Sequence, residues 1–320
     1  METRTLGQTD VAVSRVGLGG YELGPDEGEQ ADVERAKNVI EVAIDAGINW
    51  IDTSENYHAT ANESLIGAAL DHFPADFLVA TKVAPESAFS GGASGFRHDQ
   101  VHSAIRASLR RLRRDHVDIF FLHWPARSAV PLEETWGAMS EVADAGLARA
   151  IGLSNYDLGD IERCHAQRPV DVVQDGLSLI DHLDQRDQMA RCGEMGIGVV
   201  AYEPLASGIL SDKTLDEVRA LWTGPWLESG FYRRLLGPGK GELSAAVSAG
   251  MRPIAARLGV TVAQLAIAWV LHQSGVTAAL AGSRDGRHVN ANARSADVDI
   301  ASVADELDAL IPLGPSFASG

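Results

Sequence analysis

The chain has 320 residues, a formal net charge of −17 and a sequence pI near 4.9. That acid excess argues against nucleic acid or an anionic membrane as partner, so any anionic ligand must find local positive charge. No apolar run reaches the ~20 residues a membrane helix needs, and Met1 to Leu6 lack the basic flank and apolar stretch of a secretory signal.

The two cysteines, Cys164 and Cys192, read as free buried thiols in a reducing compartment. Together with the missing signal they point to the cytoplasm. No Pro-rich or Ser-rich linker and no repeat of fixed period divides the chain. Residues 1–320 therefore read as one domain, a length that barrels often reach.

In chain order, Thr3–Val13 reads as an N-terminal hairpin. Short, nearly continuous apolar runs follow at Val16–Gly19, Ile48–Ile51, Phe77–Thr81, Val117–Leu122, Ala150–Leu153, Val170–Val173, Gly198–Ala201 and Thr277–Ala281. Such runs suit parallel strands buried on both faces. Helical spacing of apolar residues lies between them at Ala31–Ala46, Val101–Leu112 and Leu132–Ala145, and again at Ala245–Leu258. Arg110 to Arg114 suit a helix C-terminus. Glu133 and Glu134 suit a first turn after Pro131, and Thr261 with Gln264 forms a capping-box pattern.

Strands alternating with helices give a parallel α/β fold. An open dinucleotide-binding sheet would carry Gly-x-Gly-x-x-Gly between its first strand and helix. Here Gly17, Gly19 and Gly20 end the first strand, but the helix begins only around Gly28–Ala31. The pattern therefore favours a closed (β/α)8 TIM barrel, with the hairpin closing its bottom. After strand 7 runs a long stretch, Ser207 to Leu243, containing Trp222, Trp226, Phe231 and Tyr232. It reads as a lid loop over the active-site face.

In such a barrel, chemistry sits at the carboxyl ends of strands. Reading those ends gives Asp52, Lys82 and His123, with Tyr57 one short loop beyond Asp52. Taken singly, each has an ordinary reading: a turn cap, a solvated cap, a hydrogen-bonded core histidine, a packing tyrosine. Together they supply a proton donor, an ammonium to tune it, a carboxylate to fix the ammonium and a neutral imidazole for a carbonyl oxygen. An adjacent ammonium is expected to lower the phenol pKa from ~10.

The stretches GINWIDTSENY (Gly47–Tyr57) and NESLIG (Asn62–Gly67) resemble the aldo-keto reductase superfamily. So do ATKV (Ala80–Val83), FLHWP (Phe121–Pro125), IGLSNY (Ile151–Tyr156) and AYEPLASGIL (Ala201–Leu210). The likeness covers nearly the whole chain in order and is greatest to the branch of potassium-channel β-subunits and bacterial reductases. It implies a (β/α)8 barrel using NAD(P)H without a Rossmann motif, with Tyr57 as general acid, Lys82 and Asp52 as its tuning pair and His123 at the carbonyl.

By the same resemblance Gly20, Tyr21 and Asp52 lie at the nicotinamide end. Ser154, Asn155 and Gln174 would hold the carboxamide, and Tyr202 would stack on the ring. Pro204, Leu205, Ser207 and Lys213 would lie along the pyrophosphate. Gly282, Arg284, His288 and Asn292 would meet the adenosine 2′-phosphate and adenine. Independently, Ser283 and Arg284 ahead of a short helix make a reasonable anion site, and Arg284 favours NADPH over NADH.

Several positions depart from the family pattern. Glu203 stands where serine is common, near the pyrophosphate, and is expected to point away. His288 and Ala291 replace the usual glutamine and glutamate of the adenine clamp, and His58 stands where glycine is common. Tyr21, His58, Trp124, Trp222 and Trp226 are expected to edge a pocket for small carbonyl compounds with hydrophobic or aromatic parts.

No metal site is expected, because His98 and His102 form an i, i+4 pair without a third ligand. Gly91–Gly95 lacks the Lys-Ser/Thr of a phosphate cradle and reads as a flexible loop. The sequence thus reads as an NADPH-dependent oxidoreductase of small carbonyls. The alternative is a redox-sensing regulatory or assembly subunit with slow turnover and tightly bound NADP(H). No feature of the sequence fixes an oligomeric state.

Overall fold

Two short strands, Thr3–Thr5 (β1) and Ala12–Ser14 (β2), form the expected hairpin, pairing antiparallel with Arg4 opposite Val13. The structure, a computed structural model, describes residues 1–26, 28–73, 76–85, 96–126, 130–181, 183–221 and 230–314. Eight further strands follow: β3 (Val16–Gly19), β4 (Trp50–Asp52), β5 (Leu78–Val83), β6 (Val117–Leu122), β7 (Ala148–Ser154), β8 (Val172–Gly176), β9 (Gly198–Tyr202) and β10 (Ala278–Gly282). They run parallel and close into a barrel in the order β10-β3-β4-β5-β6-β7-β8-β9.

The outer helices include α1 (Glu29–Asp45), α2 (Ala61–Leu70), α3 (His98–Leu112), α4 (Leu132–Asp144), α5 (Leu158–Gln167) and α6 (Gln185–Glu194). After β9 come α7 (Leu215–Ala220), α8 (Gly230–Leu235), α9 (Lys240–Leu258) and α10 (Val262–His272), and after β10 come α11 (Gly286–Ala293) and α12 (Ala304–Asp308). The capping box at Thr261 and Gln264 is formed in both directions. Helix α2 escapes sequence periodicity because its buried set, Asn62, Glu63, Leu65, Ile66, Gly67, Ala69 and Leu70, runs around most of its circumference.

Side chains inside the barrel come from Trp50, Ala80, Ile119, Phe121, Ala150, Val172, Val200, Ala278 and Leu280. Leu6, Val11 and Val13 of the hairpin join this cluster and plug the bottom. Large and small residues must interleave to fill so narrow a space. Gly17 shows the constraint, since a Cβ there would sit 2.3 Å from the Trp50 ring. The buried indole is satisfied by donating Nε1–H to the Ser14 carbonyl at 3.1 Å.

Strands extend past their apolar runs at the carboxyl end. Lys82 pairs in register with Phe121, and Ser154 with Gln174. Polar side chains interrupt the hydrophobic pattern there but leave the backbone ladder intact. The stretch 207–243, read from sequence as a loop, instead contains α7, α8 and the start of α9. Trp222 and Trp226 lie outside the described residues, as do Gly91–Gly95. Cys164 and Cys192 are buried and unbonded, and burial pushes each thiol up to about 12.

Among the described residues no single helix is long and apolar enough to cross a membrane. Helices α9 and α10 pass that test only as a pair, bent by 91°.

Candidate active site

Asp52, Lys82 and His123, read from strand ends, and Tyr57 from the loop after β4 meet at one rim. Lys82, wholly buried in β5, donates to Asp52 Oδ1 at 2.5 Å, to the Thr53 carbonyl at 2.9 Å and to the Tyr57 hydroxyl at 3.2 Å. Asp52, ending β4, accepts on its other oxygen from Gln174 Nε2 at 2.9 Å. Tyr57 and His123 stand edge to face with ring centroids 5.7 Å apart, and Trp124 stacks on His123 at 3.7 Å.

The loop that follows Tyr57 is strained. Its residues His58, Ala59 and Thr60 have φ of 50°, 51° and 76°. Three consecutive left-handed residues without glycine are costly, and such strain persists where surrounding packing holds it. Here Asn62 holds the loop, donating to the Gly20 carbonyl at 2.9 Å and accepting from Thr53 Oγ1 at 2.5 Å.

The electrostatics assign protonation states. Burial raises the Tyr57 pKa, and the Lys82 ammonium, pulling it down, does not overcome this. The expected net lowering of the phenol is thus corrected: the resting hydroxyl keeps its proton, the form a proton donor needs. For Lys82, burial opposes the charge, but Asp52 and then Tyr57 hold its pKa above the ordinary value. Burial, then the Lys82 charge, keeps His123 far below the usual histidine range, so its imidazole is neutral at pH 7.

Ser54 was missed, although it lies between Asp52 and Tyr57 in the sequence. Its hydroxyl sits 2.9 Å from His123 Nδ1 and 2.6 Å from Asn56 Oδ1, fixing the ring through one nitrogen and leaving Nε2 as the other polar edge.

The residues placed at the nicotinamide end also converge. Tyr202 donates to Asn155 Oδ1 at 2.6 Å, and Asn155 Nδ2 donates to the His123 carbonyl at 2.9 Å. Ser154 and Gln174 are buried beside them. Gly20 must be small, since a Cβ would lie 2.6 Å from the Asp52 carbonyl oxygen. Asn155, Glu203, Ala206 and Ser207 all take left-handed φ, between 45° and 64°, along the rim that continues through Pro204, Leu205 and Lys213.

Glu203, expected to turn away from the pyrophosphate, follows β9 at the same rim. It is half-buried, its charge acts on Tyr57 and Tyr202, and burial, then Asp181, raises its carboxyl to about 7. Tyr21 crosses Tyr57 at 5.1 Å, and His58 meets the Tyr21 ring at 5.0 Å and its carbonyl at 2.9 Å. With Trp124, these are the described members of the set expected to edge a substrate pocket. Arg234 of α8 grips Asp181 with two hydrogen bonds, at 2.7 and 2.5 Å, tying the segment after β9 to the loop after β8.

At the far end Gly282 closes β10, Ser283 Oγ lies 3.4 Å from His288 Nδ1, and Asn292 is buried on α11. Arg284 donates to Asp26 at 2.6 Å. No sequence signal reveals that pair, which joins residues 258 apart.

Among the described residues the pair His98 and His102 does have a third polar neighbour. Glu141 of α4 brings one carboxylate oxygen to 2.8 and 3.1 Å from the two Nε2 atoms. The expectation of a histidine pair without a third donor is corrected, because the donor comes from a neighbouring helix rather than nearby sequence.

An eight-stranded parallel barrel whose rim gathers Asp, Tyr, Lys and His defines a class of oxidoreductases. The chain belongs to the aldo/keto reductase family, whose sequence model matches residues 15–310. It is 28% identical to the NADH-specific methylglyoxal reductase of Escherichia coli K12, covering 94% of this chain and 95% of that protein. It is also 28% identical to a probable voltage-gated potassium channel subunit beta of Arabidopsis thaliana, covering 93% and 92% of the two chains. Among solved structures, the thermostable aldo-keto reductase Tm1743 with the inhibitor epalrestat superposes with a TM-score of 0.76 at 27% identity, covering 97% of this chain and all of that one.

Proposed function

We propose that this oxidoreductase reversibly reduces an aldehyde or ketone to an alcohol with NADPH, Tyr57 acting as general acid. The observation that carries this reading is Lys82 Nζ, fully buried, 2.5 Å from Asp52 and 3.2 Å from the Tyr57 hydroxyl. Bound nicotinamide supplies the hydride. Tyr57 gives its proton to the carbonyl oxygen as negative charge develops there, and the Lys82 ammonium stabilises the phenolate left behind. Neutral His123, held through Nδ1 by Ser54, orients the same oxygen. Ser154, Asn155 and Gln174 would hold the nicotinamide carboxamide, and Tyr202 would stack on its ring. Tyr21, His58 and Trp124 give the substrate an aromatic wall.

NADPH requires Arg284 to leave Asp26. The two side chains are 40% and 54% exposed. An exposed ion pair contributes at most about 1 kcal/mol, whereas a guanidinium on a phosphate gains charge-assisted hydrogen bonds worth about 1.5–3 kcal/mol. The exchange favours the 2′-phosphate, with Asp26 narrowing the margin. Arg284→Ala is expected to raise the NADPH dissociation constant about tenfold and leave that of NADH nearly unchanged. Asp26→Asn should tighten NADPH more than NADH. Equal effects on both cofactors, measured by tryptophan-fluorescence titration, would remove the basis for the assignment.

The same titration tests the whole reading. Saturable quenching by NADPH, followed by oxidation of NADPH with an aromatic aldehyde, supports it; silence toward both NADPH and NADH sinks it. The similarity to the Arabidopsis channel subunit favours a second reading, a slowly turning NADP(H)-binding subunit of a larger assembly. Cofactor retained through gel filtration, with turnover below one per minute across a broad carbonyl panel, would select that one.

A further inference from the structure

We propose that His98, His102 and Glu141 form a binding site for a divalent transition metal of the zinc type on the outer wall of the barrel. The site is separate from the rim chemistry and does not depend on it.

The two histidines open α3 one turn apart, so their side chains rise from one face of the helix. Their rings tilt 41° to each other with centroids 4.7 Å apart. Glu141 reaches them from α4, and one of its oxygens lies 2.8 Å from His98 Nε2 and 3.1 Å from His102 Nε2. The three donor atoms all lie within 4.8 Å of one another. A tetrahedral ion with bonds of ~2.0–2.1 Å needs its donors roughly 3.3 Å apart. Each nitrogen already stands near that spacing from the carboxylate oxygen, and small rotations would bring the set to it.

Those rotations are open to the cluster. The side chains are 51%, 16% and 58% exposed for His98, His102 and Glu141, so an ion can enter and water can complete the coordination. Two imidazoles and one carboxylate suit zinc, nickel or copper rather than calcium or magnesium, which prefer all-oxygen shells. The net charge of −17 raises the local concentration of cations around the molecule. Because the ligands come from two helices, a bound ion would cross-link α3 to α4 and stabilise the folded state.

The ligands lie outside the residues placed at the rim, so variants here leave carbonyl reduction unchanged without metal. The test is equilibrium dialysis and calorimetry of the full chain with zinc chloride, plus thermal unfolding with and without the ion. One zinc per chain is expected, together with a rise in Tm. His98→Ala, His102→Ala and Glu141→Ala should each weaken binding at least tenfold, the lower end of what disturbing a metal site costs, and abolish the rise in Tm. Cobalt(II) gives an independent readout, because visible absorption bands of four- or five-coordinate ion should appear in the wild type and vanish in the double variant His98→Ala/His102→Ala. Equal zinc binding by wild type and double variant would mean ions held only diffusely by the acidic surface, and would overturn the proposal. So would no binding to the wild type at 100-fold molar excess.

Discussion

Tyr57→Phe is expected to lower turnover in carbonyl reduction by ~10²-fold or more, the scale of a lost general acid, while leaving NADPH affinity nearly unchanged. The ring remains to fill its place between Tyr21 and His123, and only the hydroxyl 3.2 Å from Lys82 is lost. The fold should be untouched. Since burial keeps the phenol above its ordinary pKa, the wild-type donor stays protonated through neutral pH. Neutral His123 is the other candidate donor in the site, and it lacks a proton to spare unless the ring becomes anionic, far outside this range. Steady-state kinetics with an aromatic aldehyde decide the matter. Reduction by the phenylalanine variant at the wild-type rate would remove Tyr57 from the mechanism whatever the fold.

The barrel was legible because parallel strands buried on both faces leave continuous apolar runs, and each of the eight runs marks a barrel strand to within three residues at either end. The rim was legible for a related reason. A charged or polar residue directly after such a run, as with Asp52, Lys82 and His123, has few structural explanations, and several in one chain must meet on one ring. Contacts between distant elements left no such trace. Glu141 meets His98 across 43 residues, and Asp26 meets Arg284 across 258. Each is an ordinary exposed acid until the fold places it. Helix α2 was hidden by being buried nearly all round, and the segment after β9 by short helices too brief to show a period.

Lys82→Met tests whether the ammonium serves the fold as well as the phenol. Methionine matches the length of the lysine stem, so the apolar packing around β5 is largely kept. What is lost is the partner of Asp52, which is 3% exposed and would keep only the Gln174 amide at 2.9 Å. Removing one member of a buried ion pair typically costs about 3–5 kcal/mol, because the remaining charge stays desolvated without compensation. The midpoint of urea unfolding should fall accordingly, and turnover should drop ~10²-fold or more. The double variant Asp52→Asn/Lys82→Met separates the two effects. It removes both charges and leaves an amide beside Gln174, so much of the lost stability should return. Turnover should not return, since Tyr57 still lacks the ammonium that stabilises its phenolate. If turnover recovered along with stability, Lys82 would be a structural residue that happens to lie beside the tyrosine.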